Sequence, residues 1–504
     1  MPETARGFDY VIVGGGAAGS ALAARLTENP EVSVVLIEAG GNNRPADVPA
    51  AFQGRSIDLD MDHNPDFWWQ GLRTRRNPSQ EIVAYQGGRG TGGTSQVNGL
   101  FAIRGVPADF DRWVELGAED WSWDDVLPYY RKLENDLDFG DAPYHGKGGP
   151  LSIYREPQKD WGGVDIAFRD SVLDLGNPWY EDVNAPDSTG LSTFPMHVHA
   201  DGRRSSANDG YLEPARGRAN LTIRGNTLAD RIVFAPGTKR ATGVRLADGE
   251  IVSVNPGGEV ILSAGGALSP AMLVRSGIGP AAELTRLGVE VVADLPVGQD
   301  LTEHPFMLVN LPVAAEFAHS PFNRTVNAAW RYTSGIGDTG PNDMMVIPNN
   351  NWVGLAGLCI WQQHAVSRGK LVFESLDPTT GPLVDYGMLT DEIDVLRAKD
   401  ALDRIHELVA RPAFRRILDG KAEIPPVEEL PKTVMSSHHL TTTVRMGRPE
   451  DATTVVDTQC RVLGTEGLRV IDQSVMPELV KGNTLLTTLM IAERMADRLK
   501  GSAA

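Results

Sequence analysis

Two histidines stand side by side in SSHHLTTTVRMG, residues 436 to 447, and an asparagine follows in LVKGNTLLTTLM, residues 479 to 490. Each residue type has a chemical use. A neutral imidazole, with an ordinary pKa near 6.5, accepts a proton at working pH. A carboxamide donates a hydrogen bond to an oxygen on which negative charge develops. Together they suit the oxidation of an alcohol, in which the hydroxyl gives up its proton while hydride leaves the carbon. Residue type alone does not choose between His438 and His439, and a histidine in an apolar neighbourhood more commonly serves packing. His439 and Asn483 are 44 positions apart, so they meet only where the chain folds back on itself.

Elements able to position such residues begin at the N-terminus. DYVIV, residues 9 to 13, reads as a short apolar strand, and GGGAAG follows at once with Gly14, Gly16 and Gly19. AAGSALAARL then reads as a helix and VSVVLIE as a second strand ending in Glu38. In this strand–helix–strand order glycine permits a tight turn and close approach of backbone to a pyrophosphate. The helix N-terminus adds free N–H groups and partial positive charge. Glu38 falls where a carboxylate accepts from ribose hydroxyls. The pattern predicts nucleotide binding without separating NAD from FAD. A second glycine-rich stretch, GGRGTGGTSQVNG at 87 to 99, reads either as backbone laid against an extended ligand or as a flexible surface loop.

A length of 504 residues exceeds one ordinary core and predicts two or three domains, or two built from interleaved segments. The 66 acidic residues against 47 basic ones give a net charge of -19, which repels a phosphate backbone, so nucleic acid is not an expected partner. No apolar run reaches about 18 residues, and MPETARGFDY lacks a basic and then apolar leader, which predicts no membrane span and a cytoplasmic location. Two cysteines, Cys359 and Cys460, are too few for a disulfide framework and are expected to be reduced.

Further segments carry a more specific likeness. GRGTGGTSQVNGLFAIRG (88–105), ADFDRWVELGAEDWSWDDVLPYYRKLE (108–134), SAGGALSPAMLVRSGIGP (263–280), VGQDLTEHP (297–305) and the run from His439 to about residue 500 follow GGGAAG and Glu38 in order. In these segments the chain resembles the glucose-methanol-choline (GMC) family of FAD-dependent oxidoreductases. The resemblance implies an α/β fold with a Rossmann-type FAD-binding domain and a substrate domain built on an antiparallel sheet with flanking helices. It implies FAD contacts at Gly14, Gly16, Ala17, Ala18, Gly19, Glu38 and Ala39, and at Arg89, Gly92, Gly93, Thr94, Asn98 and Gly99. Ala229, Ala264, Gly265, Asp472, Gln473, Asn483, Thr484 and Leu485 complete that set, with Val475 also facing the flavin.

In the family a catalytic histidine precedes a T-x-R-M-G ending, and the spacing back from Gly447 selects His439; the second catalytic position aligns with Asn483. His439 then removes the hydroxyl proton, Asn483 holds the oxygen and flavin N5 receives the hydride. Leu485, Leu489, Ala492, Ala496 and Leu499 recur at helical spacing, so a buried helix is expected just after Asn483, its positive end favouring negative charge on the flavin. Three positions depart from the pattern. Leu485 stands where the family commonly has a hydrogen-bonding Asn, while Gly266 and Thr94 replace the usual small or Ser residues of two signatures.

The resemblance assigns residues 1 to 150, 203 to 304 and 437 to 504 to the FAD-binding domain, and 151 to 202 and 305 to 436 to the substrate domain. NDMMVIP and GLCIWQQH read as strands flanking NNNW at 349 to 352. Trp352 and Trp361 suit aromatic walls and Asn350 and His438 suit substrate contacts, with a simple turn as the competing reading of NNNW. His197 and His199 in MHVHADG alternate on a strand run and would share a face, yet no third ligand lies at a familiar spacing, so no metal site is expected. Overall the chain looks most like bacterial members acting on small, aromatic or furanic primary alcohols such as hydroxymethylfurfural. O2, or a quinone or peptide-derived redox carrier, would take the electrons. A lyase that cleaves a cyanohydrin without net redox is the alternative of another class.

Overall fold

The structure, a computed structural model, describes residues 7–54, 61–320, 324–352 and 355–502. The first three predicted elements form β1 (Phe8–Val13), α1 (Ala17–Leu26) and β2 (Val34–Ile37). β1 lies between β2 and β3 (Ile251–Leu262), all parallel, with Val11 opposite both Val35 and Val260. Leu221–Arg224 extends the sheet beyond β2, and β4 (Leu468–Val470) extends it beyond β3. Strands covered on both faces carry continuous apolar runs, as VVLI does with all four residues buried. The first half of β3 leaves this core and pairs antiparallel with Ala241–Leu246, which pairs with Ala229–Phe234.

Helix α2 (Gly265–Arg275) follows β3 directly, and α3 (Thr484–Ser502) starts one residue after Asn483, where the apolar spacing predicts it. α3 packs along α1. Arg25 Nε meets both carboxylate oxygens of Glu493 at 2.9 Å, across 468 positions of sequence. The Glu493 side chain is fully buried and also accepts from the Tyr211 hydroxyl at 2.9 Å. A buried carboxylate is tolerable only when so paired.

A second sheet has six strands in the order Met435–Ser436, Pro305–Asn310, Leu355–Gln362, Met344–Trp352, Ala328–Tyr332 and Gly190–Thr193, each antiparallel to its neighbours. Alternation separates its faces. Met345, Ile347, Cys359, Trp361 and Phe306 pack with Leu100, Ile103 and Phe194 on one side. Met344, Val346, Leu358 and Ile360 join the main core on the other, where the helix Glu392–Val409 lies. Asn349 and Asn350 continue the strand Met344–Trp352 instead of turning, and the side chains of Asn351 and Trp352 lie outside the described residues. The N-terminal segment also reaches the middle of the chain, since Arg73–Arg75 pairs with both Leu383–Asp385 and Val83–Ala84. Among the described residues no helix is long and apolar enough to cross a membrane. Cys359 and Cys460 are free and buried, and burial pushes both thiols up.

Candidate active site

The end of β1 and the edge of the six-stranded sheet open onto one cavity. At the β1 end, Gly14 turns the chain with φ +102°, and a Cβ on Gly19 would lie 1.9 Å from the Gly14 carbonyl oxygen. Only glycine at 19 lets α1 begin that close to the strand. The second glycine stretch packs on the first. Gly92 N donates to the Gly15 carbonyl at 2.8 Å, and a Cβ on Gly93 would lie 2.7 Å from Cα of Gly16. This stretch is therefore packed backbone at the cavity wall, not a free surface loop.

Glu38 joins the two glycine segments. One carboxylate oxygen accepts from Gly15 N at 2.7 Å and the other from Gly40 N at 2.8 Å and Gly90 N at 3.0 Å. A carboxylate has about four acceptor positions, so capacity remains for a ribose hydroxyl. Asn98 is held comparably. Its amide oxygen accepts from Arg204 at 2.7 Å and from Leu100 N at 3.1 Å, with the His197 ring 2.9 Å away, and its NH2 group lies at the cavity that the residue lines.

Of the residues expected at the cofactor, Gly14, Gly16, Ala17, Ala18, Glu38, Ala39, Gly93, Thr94, Asn98 and Gly99 line the cavity, as do Ala229, Ala264, Gly265, Asp472, Gln473, Asn483, Thr484 and Leu485. Four others stand behind the wall. Gly19 and Gly92 serve the packing just described. Arg89 donates to the Ala39 carbonyl at 2.8 Å and covers the Trp69 ring. Val475, expected at the flavin, is fully buried in the main core, because the short helical turn Gln473–Val475 points it away. Asp472 fixes that turn and α2 together, accepting from Ser474 N at 2.9 Å and from Gly265 N at 2.8 Å.

At the other end the strand Met435–Ser436 delivers His438 and His439, and Trp361, Phe306, Phe101 and Met435 supply an apolar wall. The Trp361 and His439 ring centroids lie 6.1 Å apart. Asn350, expected at the substrate, is absent from this wall. Its amide donates to buried Asp165 at 2.6 Å, so it is a sheet-to-helix anchor. His197 bonds Ser205 and Asn98, whereas His199 pairs with Asp209 at 2.7 Å, so the two histidines serve separate partners.

His439 and Asn483 do meet. Asn483 Nδ2 lies 3.3 Å from His439 Nε2, and Asn483 N is tied to the Ile103 carbonyl at 2.9 Å. The other ring nitrogen of His439, Nδ1, lies 2.8 Å from Nδ1 of His304. With the amide NH2 donating to Nε2, the His439 proton sits on Nδ1 and donates to His304, so Nε2 is the acceptor nitrogen at the cavity, its lone pair held by the long Asn483 contact that a substrate hydroxyl would replace. His304 is fully buried, and nothing in its TEHP sequence context announces this contact. His438 has φ +60°, a left-handed conformation uncommon for a side chain of its size, which turns its ring toward Tyr85 at 5.2 Å between centroids.

Burial dominates the electrostatics. It lowers His304 to about 3 and His438 to about 4, and with those two neighbours it holds His439 well below the usual imidazole range. All three rings are neutral at neutral pH. Beneath them Glu303 accepts from His439 N at 3.0 Å, His304 N at 2.7 Å and Ser436 Oγ at 2.6 Å. These donors favour the carboxylate, yet desolvation outweighs them and raises the group from 4.5 to about 7. A carboxyl that binds its proton more tightly when folded adds stability that is complete below pH 4.5 and is lost as pH rises through about 7. Glu303→Gln is therefore expected to flatten the decline in Tm over that interval. Melting curves recorded from pH 4 to 8 check it, and an unaltered slope would show that Glu303 is ionised throughout.

The cavity fits FAD. Glycine backbone cradles its β1 end, the N-termini of α1, α2 and α3 all reach its wall, and an apolar wall faces a polar pair at the far end. Asn483 Oδ1 and His438 Nδ1 are buried there without a hydrogen-bond partner among the described residues, as polar groups that meet a ligand would be.

Comparison with known proteins gives a consistent answer. The GMC oxidoreductase family matches at residues 8–306 with its N-terminal part and at 365–492 with its C-terminal part. A 5-(hydroxymethyl)furfural oxidase of Methylovorus sp. (strain MP688) is 36% identical over 98% of both chains. An oxygen-dependent choline dehydrogenase of Serratia proteamaculans (strain 568) is also 36% identical, over 98% of this chain and 96% of its own. Among solved structures, pyridoxine 4-oxidase from Mesorbium loti superposes with a TM-score of 0.88 at 27% identity, covering 98% of this chain and 99% of that one. The chain belongs to the GMC oxidoreductases, FAD-dependent enzymes that act on CH–OH donors.

Proposed function

We propose that the protein oxidises a primary alcohol on a small aromatic or furanic ring to the aldehyde, with His439 as the base. The observation that carries this reading is the convergence of His439 Nε2 and Asn483 Nδ2, 3.3 Å apart, on the cavity beside Trp361, Phe101 and Phe306. The aromatic side chains hold the flat ring and exclude water. His439 Nε2 takes the hydroxyl proton, and the Asn483 NH2 donates to the oxygen as it gains negative charge. An imidazole so reluctant to become cationic takes the proton only as that charge develops beside it. His304 accepts from Nδ1 throughout and so keeps the lone pair on Nε2. Bound FAD supplies the hydride acceptor.

The named substrates of the two relatives differ in charge, and the cavity disfavours the cationic one. Its two carboxylates, Glu38 and Asp472, are both held by backbone amides away from His438 and His439, so no acid greets a quaternary ammonium at the catalytic end among the described residues. Re-oxidation by O2 is the reading we adopt, on the strength of the oxidases among the relatives. Anaerobic mixing of the yellow holoenzyme with benzyl alcohol, furfuryl alcohol, hydroxymethylfurfural and choline tests the proposal. The ring alcohols are expected to bleach the flavin band and choline to leave it; bleaching by choline alone would overturn the substrate class. Admitting air should then restore the colour with release of hydrogen peroxide.

A further inference from the structure

Arg76 carries a charge that the protein leaves unanswered. Its neighbours Arg73 and Arg75 each have a carboxylate partner, Glu374 and Asp385, at 2.5 Å. Arg76 lines the cavity instead, its Nε is buried without a partner, and among the described residues it meets no carboxylate. A partly desolvated guanidinium is costly to keep unpaired, and neither Glu38 nor Asp472 is placed to relieve it. It sits at the catalytic end. Its charge helps depress His438, and it interacts with Tyr386, which adjoins Tyr85, the ring against which His438 packs. His438 adds a second group with nothing to bind, since its Nδ1 is buried without a partner and its left-handed backbone fixes where the ring points. The phosphates of FAD are served elsewhere, by the glycine turn and the N-terminus of α1.

We propose that Arg76, together with Nδ1 of His438, forms an anion subsite, so that the preferred substrate is a ring-borne primary alcohol that also carries a carboxylate. This rests on the alcohol-oxidation reading above and narrows it. The guanidinium takes the carboxylate in a two-pronged hydrogen bond, which Lys could not reproduce. With the ring against Trp361 and Phe306, the carboxylate at one end fixes the hydroxymethyl group at the other, in reach of His439. The same positive group disfavours choline.

The test compares 4-(hydroxymethyl)benzoate with its uncharged methyl ester as reductants of the holoenzyme under anaerobic conditions. The carboxylate is expected to exceed the ester by about tenfold or more in kcat/KM, chiefly through KM, as a charge-assisted hydrogen bond implies. Arg76→Met is expected to abolish that ratio. A wild-type ratio near one, or a ratio that survives in the variant, overturns the subsite and leaves alcohol oxidation standing. If neither alcohol bleaches the flavin, the activity reading fails, and benzoate itself then decides the subsite. A benzoate-induced shift of the flavin band that disappears in Arg76→Met supports it, and no shift in the wild-type protein overturns it.

Discussion

Replacing His439 by alanine is expected to slow alcohol-dependent bleaching of the flavin by on the order of a hundred- to ten-thousandfold, with FAD still bound. The size of the loss follows from what remains. Asn483 can still donate to the substrate oxygen, but the imidazole nitrogen that meets its amide is gone, and His304 is fully buried behind that position. The cofactor should stay, since the glycine cradle, Glu38 and the three helix N-termini are untouched. Stability should fall only modestly. The Asn483 amide and His304 Nδ1 lose their partners, at about 1–3 kcal/mol for each polar group left buried and unsatisfied. Single-turnover reduction and a melting curve separate the two effects. Unchanged reduction would remove His439 from the base role. In the wild-type protein the same assignment predicts no loss of activity near pH 6.5 from protonation of His439, whose burial keeps it neutral well below that value.

Gly19→Ala is expected to have the opposite signature, abolishing cofactor retention before any chemistry is reached. The added methyl would lie 1.9 Å from the Gly14 carbonyl oxygen, a contact that forces α1 away from β1. Overpacking typically costs about 1–3 kcal/mol and more when backbone must yield. Here the backbone that yields is the pyrophosphate cradle, and Gly92 and Gly93 rest on the same turn. Flavin absorbance of the purified variant should fall at least about tenfold relative to protein, with a lowered Tm. A variant that purifies yellow with native melting would show that α1 can shift without disturbing the site.

Much of this site could be read from residue order because its parts are local. A strand, a glycine turn, a helix and a terminal acid form one continuous unit, and the helix after Asn483 announces itself by apolar spacing. Short motifs single out His439 and Asn483, and the chain brings the two together across 44 positions. The contacts that complete the site have no such signal. His304 reaches His439 across 135 positions, and Arg76 faces the cavity only because Arg73–Arg75 is built into a sheet with Leu383–Asp385. The Asn run at 349 to 351 suggested a turn or a polar substrate contact. Whether an asparagine meets ligand, turn or core depends on its neighbour in space, which for Asn350 is a buried aspartate 185 positions away. Val475 failed for a smaller reason, a short helical turn that rotates it into the core.

The pairing of Arg25 with Glu493 has a consequence for how the chain reaches this state. α1, with Ala21 and Leu22 fully buried in the finished molecule, packs on β1 and β2 early, but the side of it that α3 covers stays open until α3 exists. During synthesis at roughly 5–20 residues per second, the intervening 468 positions hold that face open for tens of seconds. His439 and Asn483 are also made late in the same interval. The reactive pair and the cover that α3 gives to α1 therefore arrive together at the end of synthesis, long after the residues of the nucleotide cradle, and the open helix face exposes apolar surface in the meantime.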